Sequence, residues 1–190
     1  MKKLAIAFTA LLLVSGCEDM SGILSVSEKF SVLVKGKSKE IPMGGHNTKL
    51  DFEREKITAT IDVNGKDIKV VILLPDNVSL PENGPFVISS EQSGQPFDVE
   101  GTVQTEITRS DLKNGRETCQ YTAYEPVCDQ NGCTIQNVPK TGWRDIEYFE
   151  ETTNKELGFD SFSSAGTAQS RFDGASNTTV KRVTFEGRCF

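Results

Sequence analysis

Hydrophobic and polar residues alternate with a period of two along most of this chain, and no long stretch carries a helical period. The clearest case is KITATIDVNGKDIKVVILLP, residues 56–75. Ile57, Ala59, Ile61 and Val63 share one face, and after Asn64-Gly65 so do Ile68, Val70, Ile72 and Leu74. A two-residue turn there pairs Ile61 with Ile68, Ala59 with Val70 and Ile57 with Ile72, which puts both apolar rows on one side of a sheet. Asn-Gly accepts the positive φ values that such a turn demands. Register and turn chemistry therefore agree on a hairpin.

Other alternating runs predict further strands. Phe30, Val32 and Val34 form one, and Val99, Val103 and Ile107 mark a longer one with Gly101 as a bulge or close-packing point. Cys119, Tyr121 and Ala123 share a face. Ile146 and Tyr148 oppose Trp143 and Phe149. Ala168 and Phe172 mark one strand, and Val183, Phe185 and Cys189 another. The sum is about eight to ten strands and an all-β fold, a sandwich or barrel. Residues 36–49, 75–85, 89–96 and 161–170 are rich in turn formers and read as loops. No proline-rich linker divides the chain. A single β-rich domain over 23–190 is expected, and the alternative boundary lies near Glu91–Gln95.

The first residues break the alternation. MKKLAIAFTALLLVSGC opens with Lys2 and Lys3, runs apolar from Leu4 to Val14 and ends on Ser15 and Gly16. Such a run has the charge, length and ending of a secretory signal and is too short for a stable membrane span. The ending Val14-Ser15-Gly16-Cys17 resembles the bacterial lipoprotein signal. The resemblance implies cleavage after residue 16, acyl chains on Cys17 and a short tether over 17–22. It covers the leader alone and implies nothing about the fold. Each buried acyl CH₂ contributes about 0.8 kcal/mol to membrane binding, so several chains hold a protein at a membrane without a helix. Glu18 is not the aspartate that, in enteric lipoproteins, marks inner-membrane retention. The resemblance therefore implies an outer-membrane destination.

Removing the leader lowers Lys plus Arg from 21 to 19 against 27 Asp plus Glu, a net charge of about −8. That balance argues against a nucleic-acid partner and fits a basic protein or the cell wall.

An exported chain meets an oxidising compartment, where cysteines serve as staples. With Cys17 assigned to lipid, Cys119, Cys128, Cys133 and Cys189 remain. Their spacing has neither the close pairs of many zinc sites nor a C-x-x-C redox motif, so no metal or cofactor is expected. Three pairings are open. The preferred one is Cys128–Cys133 with Cys119–Cys189. Four turn-like residues separate the first pair, and each cysteine of the second extends an apolar strand face. Cys119–Cys133 with Cys128–Cys189, and Cys119–Cys128 with Cys133–Cys189, are the alternatives.

No catalytic residue stands out. His46, the single histidine, reads as an exposed loop residue, and no nucleophile, phosphate-loop or zinc-protease motif is present. Carboxylates cluster at Asp145, Glu147, Glu150, Glu151, Glu156 and Asp160, a pattern that suits a wet strand edge. The candidate binding surface is aromatic: Tyr121, Tyr124, Trp143 and Tyr148, with Trp143 foremost. These features point to a nonenzymatic envelope lipoprotein whose β domain binds a protein or the cell wall. The alternatives are an inhibitor of a cationic periplasmic or host enzyme, which is similar in outline to lysozyme-inhibitor lipoproteins, and a carboxylate-dependent hydrolase of envelope polysaccharide.

Overall fold

The computed structural model describes residues 19–53, 55–74, 81–130 and 132–190. The leader and Cys17 lie outside the described residues. The chain is all-β and stapled by two disulfides. Its elements are β1 (Asp19–Val26), β2 (Phe30–Val34), β3 (Lys37–Ile41), β4 (Gly44–Glu53), β5 (Lys56–Val63), β6 (Lys66–Leu73) and β7 (Gly84–Ile88). The helix α1 (Ser90–Ser93) follows, then β8 (Asp98–Arg109), β9 (Lys113–Asp129), β10 (Gly132–Phe162) and β11 (Ala168–Glu186). Nine strands form one sheet in the order β6-β5-β4-β1-β11-β10-β8-β7, with β9 added on β10; β2 and β3 form a separate ribbon.

The Asn64-Gly65 hairpin is β5–β6, with Ile61 opposite Ile68, Ala59 opposite Val70 and Ile57 opposite Ile72. All six side chains are buried. Asn64 and Gly65 adopt φ of 54° and 77°, the paired positive values of a tight hairpin turn. Asp62 closes the turn by accepting the Gly65 N–H at 2.7 Å. A second such turn, Lys35-Gly36 with φ of 51° and 76°, joins β2 to β3.

Several expectations need correction. The tether over 17–22 is strand from Asp19 onward: β1 pairs with both β4 and β11, and Met20 is buried. The loop expected at 36–49 holds β3 and half of β4. His46 is a buried strand residue, its ring nitrogens 2.8 Å from the Pro42 carbonyl oxygen and 3.3 Å from that of Asp62. Ala168, Phe172, Val183 and Phe185 belong to one 19-residue strand, β11. The strand count is eleven: β1, β3, β4 and β7 were not anticipated, and two expected strands merge in β11. Ile107 shares a strand with Val99 and Val103 but is exposed.

Two compact units emerge. The first joins residues up to Gln104 with Glu156–Ser176, and the second joins Thr105–Lys155 with Asn177–Phe190. β8, β10 and β11 contribute residues to both, which is why no linker appears in the sequence. The segment near Glu91–Gln95 is no boundary. It carries α1, capped by a reciprocal pair in which Ser89 accepts the Gln92 N–H and Gln92 accepts the Ser89 N–H.

The first unit holds the apolar core. Strands from both ends of its sheet supply that core, Val70 and Ile72 from β6 and Ile88 from β7, so the sheet curls around it. Phe159 and Phe172 stack at its centre with ring centroids 5.1 Å apart. Gln95 locks the β2–β3 ribbon to β6: its side chain accepts the Leu33 N–H at 2.8 Å and donates to the carbonyls of Leu33 at 3.2 Å and Val71 at 2.8 Å. The Gln95 side chain is buried, and its loss would leave these part-buried backbone groups without their partner. Gln95→Leu is expected to destabilise the protein by roughly 2 kcal/mol or more, read from the urea midpoint. An unchanged midpoint would show that the amide is not what docks the ribbon.

Candidate functional site

Tyr121, Tyr124, Trp143 and Tyr148, with Cys119, Cys128, Cys133 and Cys189, all fall in the second unit. Here β10 is the central strand. β9 pairs with it from Asp129↔Gly132 to Lys113↔Tyr148. The last stretch of β11 and the residues after it line the other side: Thr184 Oγ1 donates to the Glu147 carbonyl at 3.1 Å, and the Gly187 N–H donates to the Asp145 carbonyl at 2.7 Å. The final residue pair, Trp143 and Phe190, exchanges two backbone hydrogen bonds of 2.9 and 3.1 Å. Beyond it the unit is a two-stranded ribbon.

Such ribbons are marginal in water unless braced, and the second unit has little core. Ile146 is the one buried large apolar side chain among its described residues. Two disulfides brace it, in the preferred pairing. Cys128 and Cys133 are direct cross-strand partners near the tip, with Cα atoms 3.9 Å apart. Cys119–Cys189 ties the C-terminal segment to the ribbon base, with Cα atoms 6.0 Å apart. Gly142 makes that docking feasible, because a Cβ there would lie 2.3 Å from the Phe190 carbonyl oxygen.

Period-two alternation then divides the ribbon into two unlike faces. On one face lie Glu117, Cys119, Tyr121, Ala123 and Glu125 of β9, opposite Arg144, Gly142, Lys140, Val138 and Gln136 of β10. All the β9 members of this row are half-buried, because long side chains lie across them. Arg144 Nε donates to Glu117 at 2.7 Å, and Lys140 pairs with Glu125. Farther along this face Lys113 pairs with Glu150 at 2.6 Å. Those carboxylates hold the Lys140 and Lys113 ammonium groups above the usual lysine range.

The opposite face carries Thr118, Gln120, Thr122, Tyr124 and Pro126 of β9 against Trp143, Thr141, Pro139, Asn137 and Ile135 of β10. Every one of these ten residues is exposed, and none is charged. Phe190, hydrogen-bonded beside Trp143, is exposed as well. Charge resumes at the Arg116–Asp145 pair, 3.0 Å, and Arg188. We call this the open face.

The four candidate aromatics therefore do not form one surface. Tyr124, 76% exposed, and Trp143, 51% exposed, stand on the open face. Tyr121 and Tyr148 lie on the charged face and cover glycines: Tyr121 Cε1 would be 2.9 Å from a Cβ at Gly142, and Tyr148 Cε1 the same distance from one at Gly115. Tyr148 also lies beneath the Lys181 ammonium, 4.2 Å from its ring centroid. These two rings fill gaps that the glycines leave in the sheet. Phe190 and the Thr, Gln and Asn positions were not anticipated. Their signal is the alternation T-x-Q-x-T-x-Y-x-P and I-x-N-x-P-x-T-x-W, which has no charge at any counted position.

Four carboxylates of the acidic cluster are held in ion pairs. Asp145 is paired with Arg116, Glu150 with Lys113 and Asp160 with Arg171. Glu151 accepts from Arg109 Nε at 2.9 Å and from Arg182 Nη2 at 3.1 Å, and these guanidinium groups hold its carboxyl below the usual glutamate range. An acid catalyst for glycoside cleavage needs the opposite shift. Among the described residues no group of three or more His, Cys, Asp or Glu is arranged to hold a metal ion.

The chain matches no protein-family model, no curated protein and no solved structure.

Two consequences can be measured. Removing Cys119–Cys189 by double serine substitution should cost up to about 4 kcal/mol, against about 2 kcal/mol for Cys128–Cys133, because the first closes the longer loop. It should also change the emission of Trp143, which is the sole tryptophan; equal costs and unchanged emission would contradict the clamp. The Glu151 contribution should be present above the ordinary glutamate range and lost as pH falls through its lowered value. Glu151→Gln should therefore lower the urea midpoint at neutral pH and flatten its fall in acid. A variant with the wild-type acid profile would show that the two arginines do not bias this carboxyl.

Proposed function

We propose that this protein is a nonenzymatic envelope lipoprotein, held at a membrane by lipid on Cys17, whose second unit presents the open face to a partner. The observation that carries the binding reading is a sheet face of exposed, uncharged side chains, including Trp143, Tyr124 and Phe190, beside a charged face that its own ion pairs cover. Exposed aromatic side chains contribute most of the energy at many binding surfaces, and leaving them bare on a braced ribbon serves recognition rather than folding. The lipid anchor rests on the leader's resemblance to the lipoprotein signal.

Charge is distributed unevenly, and this favours one competing reading. The second unit has nine Lys and Arg against ten Asp and Glu, whereas the first, counted from Cys17, has ten against seventeen. An inhibitor of a cationic enzyme would use the acidic first unit rather than the aromatic ribbon. Salt separates the two. Raising it from about 0.1 M to about 1 M shortens the Debye length from about 10 Å to about 3 Å. Retention of an envelope fraction on immobilised protein should survive that change and be lost with Trp143→Ala. Retention abolished by salt and untouched by Trp143→Ala would transfer the function to the first unit. For the anchor, Cys17→Ser should abolish metabolic palmitate labelling and release the protein from membranes; labelling that persists would remove Cys17 from that role.

A further inference from the structure

We propose that the open face of the ribbon is a stacking platform for a neutral, extended oligosaccharide. The inference rests on the reading of the second unit as a binding module and names the ligand class of that surface.

From the Thr118–Trp143 pair to the Cys128–Cys133 pair, no side chain on this face is ionised at neutral pH. Ten residue steps of β10 separate Trp143 from Cys133, about 33 Å at roughly 3.3 Å per residue. The neighbouring face of the same strands carries Glu117, Glu125, Lys140 and Arg144, so the absence is specific to one face. A polyanion or a strongly basic protein finds no counter-charge along this strip. A neutral chain meets no desolvated charge.

Thr118, Gln120, Thr122, Asn137 and Thr141 offer hydroxyls and amides, which both donate and accept. Sugar hydroxyls do the same, so either orientation of a sugar ring finds a partner. Ile135, Pro126 and Pro139 are the aliphatic side chains among the ten, and Asn137 separates Pro139 from Ile135 along β10. A second copy of this chain, or a protein partner packed sheet on sheet, would need a more continuous apolar row.

Trp143 and Phe190 are side by side as direct backbone partners at the ribbon base. Tyr124 lies opposite Asn137, six residues from Trp143 along β10, about 20 Å away. Aromatic faces at both ends of a strip of amides and hydroxyls suit the alternating apolar and hydroxyl-bearing surfaces of a linear sugar chain. The Cys119–Cys189 bond holds Phe190 in this arrangement by fixing the residue before it. The platform is thus braced before any ligand arrives, which lowers the ordering cost of binding.

The sole tryptophan reports directly on the platform. Titrating the full chain with chitohexaose and cellohexaose should give a saturable change in Trp143 emission with at least one of them, and polygalacturonate should give none. Thr141→Glu, which places a carboxylate beside Trp143, should weaken that binding at least tenfold. Tyr124→Ala should weaken it less, and Thr134→Glu, on the other face, should leave it unchanged. Far-ultraviolet dichroism and the urea midpoint would confirm that each variant folds. No response to either neutral sugar overturns the proposal, as does binding that Thr141→Glu does not affect. An emission change that depends on protein concentration alone overturns it in favour of a second copy of the chain. If sugars fail while an envelope protein is retained in a manner sensitive to Thr141→Glu, the saccharide is excluded and the binding reading survives. If neither is retained, both readings fall.

Discussion

β10 is the strand on which everything else hangs: 31 residues, contributing to both compact units. Its antiparallel pairing fixes the register of its neighbours, and its alternation sorts side chains between two faces. Near its end the strand places Leu157 and Phe159 in the core. Near its start the odd positions are Ile135, Asn137, Pro139, Thr141 and Trp143, all exposed. A single backbone geometry therefore yields a packed unit and an unpacked one, and residue choice decides which. The unpacked unit cannot rely on burial, so it uses covalent and electrostatic cross-links instead.

Those cross-links are complementary. Exposed ion pairs such as Lys113–Glu150 contribute little singly, but several in succession cover the charged face and leave the other bare. The disulfides act chiefly on the unfolded chain by restricting its freedom. They require no apolar contact, which is why they suit a ribbon with one buried aliphatic side chain. The outer edge of β9 is a hazard of this arrangement, since an unpaired strand edge can recruit another chain. Pro126 lacks an N–H and interrupts that edge, and Lys113, Arg116, Glu117 and Glu125 charge it.

Much of the fold is legible in the sequence where two local signals coincide. Asn64-Gly65 has both a turn dipeptide and matched apolar rows, and its register is the observed one. The missed strands lack one of those signals. β3 is exposed at Lys37, Ser38, Lys39 and Glu40 and buries Ile41 alone, so its polarity reads as loop. β4 buries His46 and Thr48, which tertiary pairing, not hydropathy, places inside. Met20 reads as tether because Cys17, the expected lipid site, stands so near. The Cys128–Cys133 bond is legible because its partners flank a tight turn; the apolar rows that suggest Cys119–Cys189 are not core faces, since Cys119 lies on the charged face and Val183 and Phe185 are exposed.

The site was half legible, for a reason that applies to any two-sided ribbon. Aromatic content marks a candidate surface, but it does not say which face each ring occupies. Tyr121 and Tyr124 are three residues apart, an odd number, and so point to opposite sides of the strand. Only the cross-strand register, Tyr121 against Lys140 and Tyr124 against Asn137, shows that one ring lies over Gly142 and the other stands free. Parity alone would have separated them. What parity could not supply is the arrival of Phe190 beside Trp143, because that depends on a disulfide between residues 70 positions apart. The most informative residue of the open face is thus one that local sequence cannot place, and a long-range covalent bond puts it there.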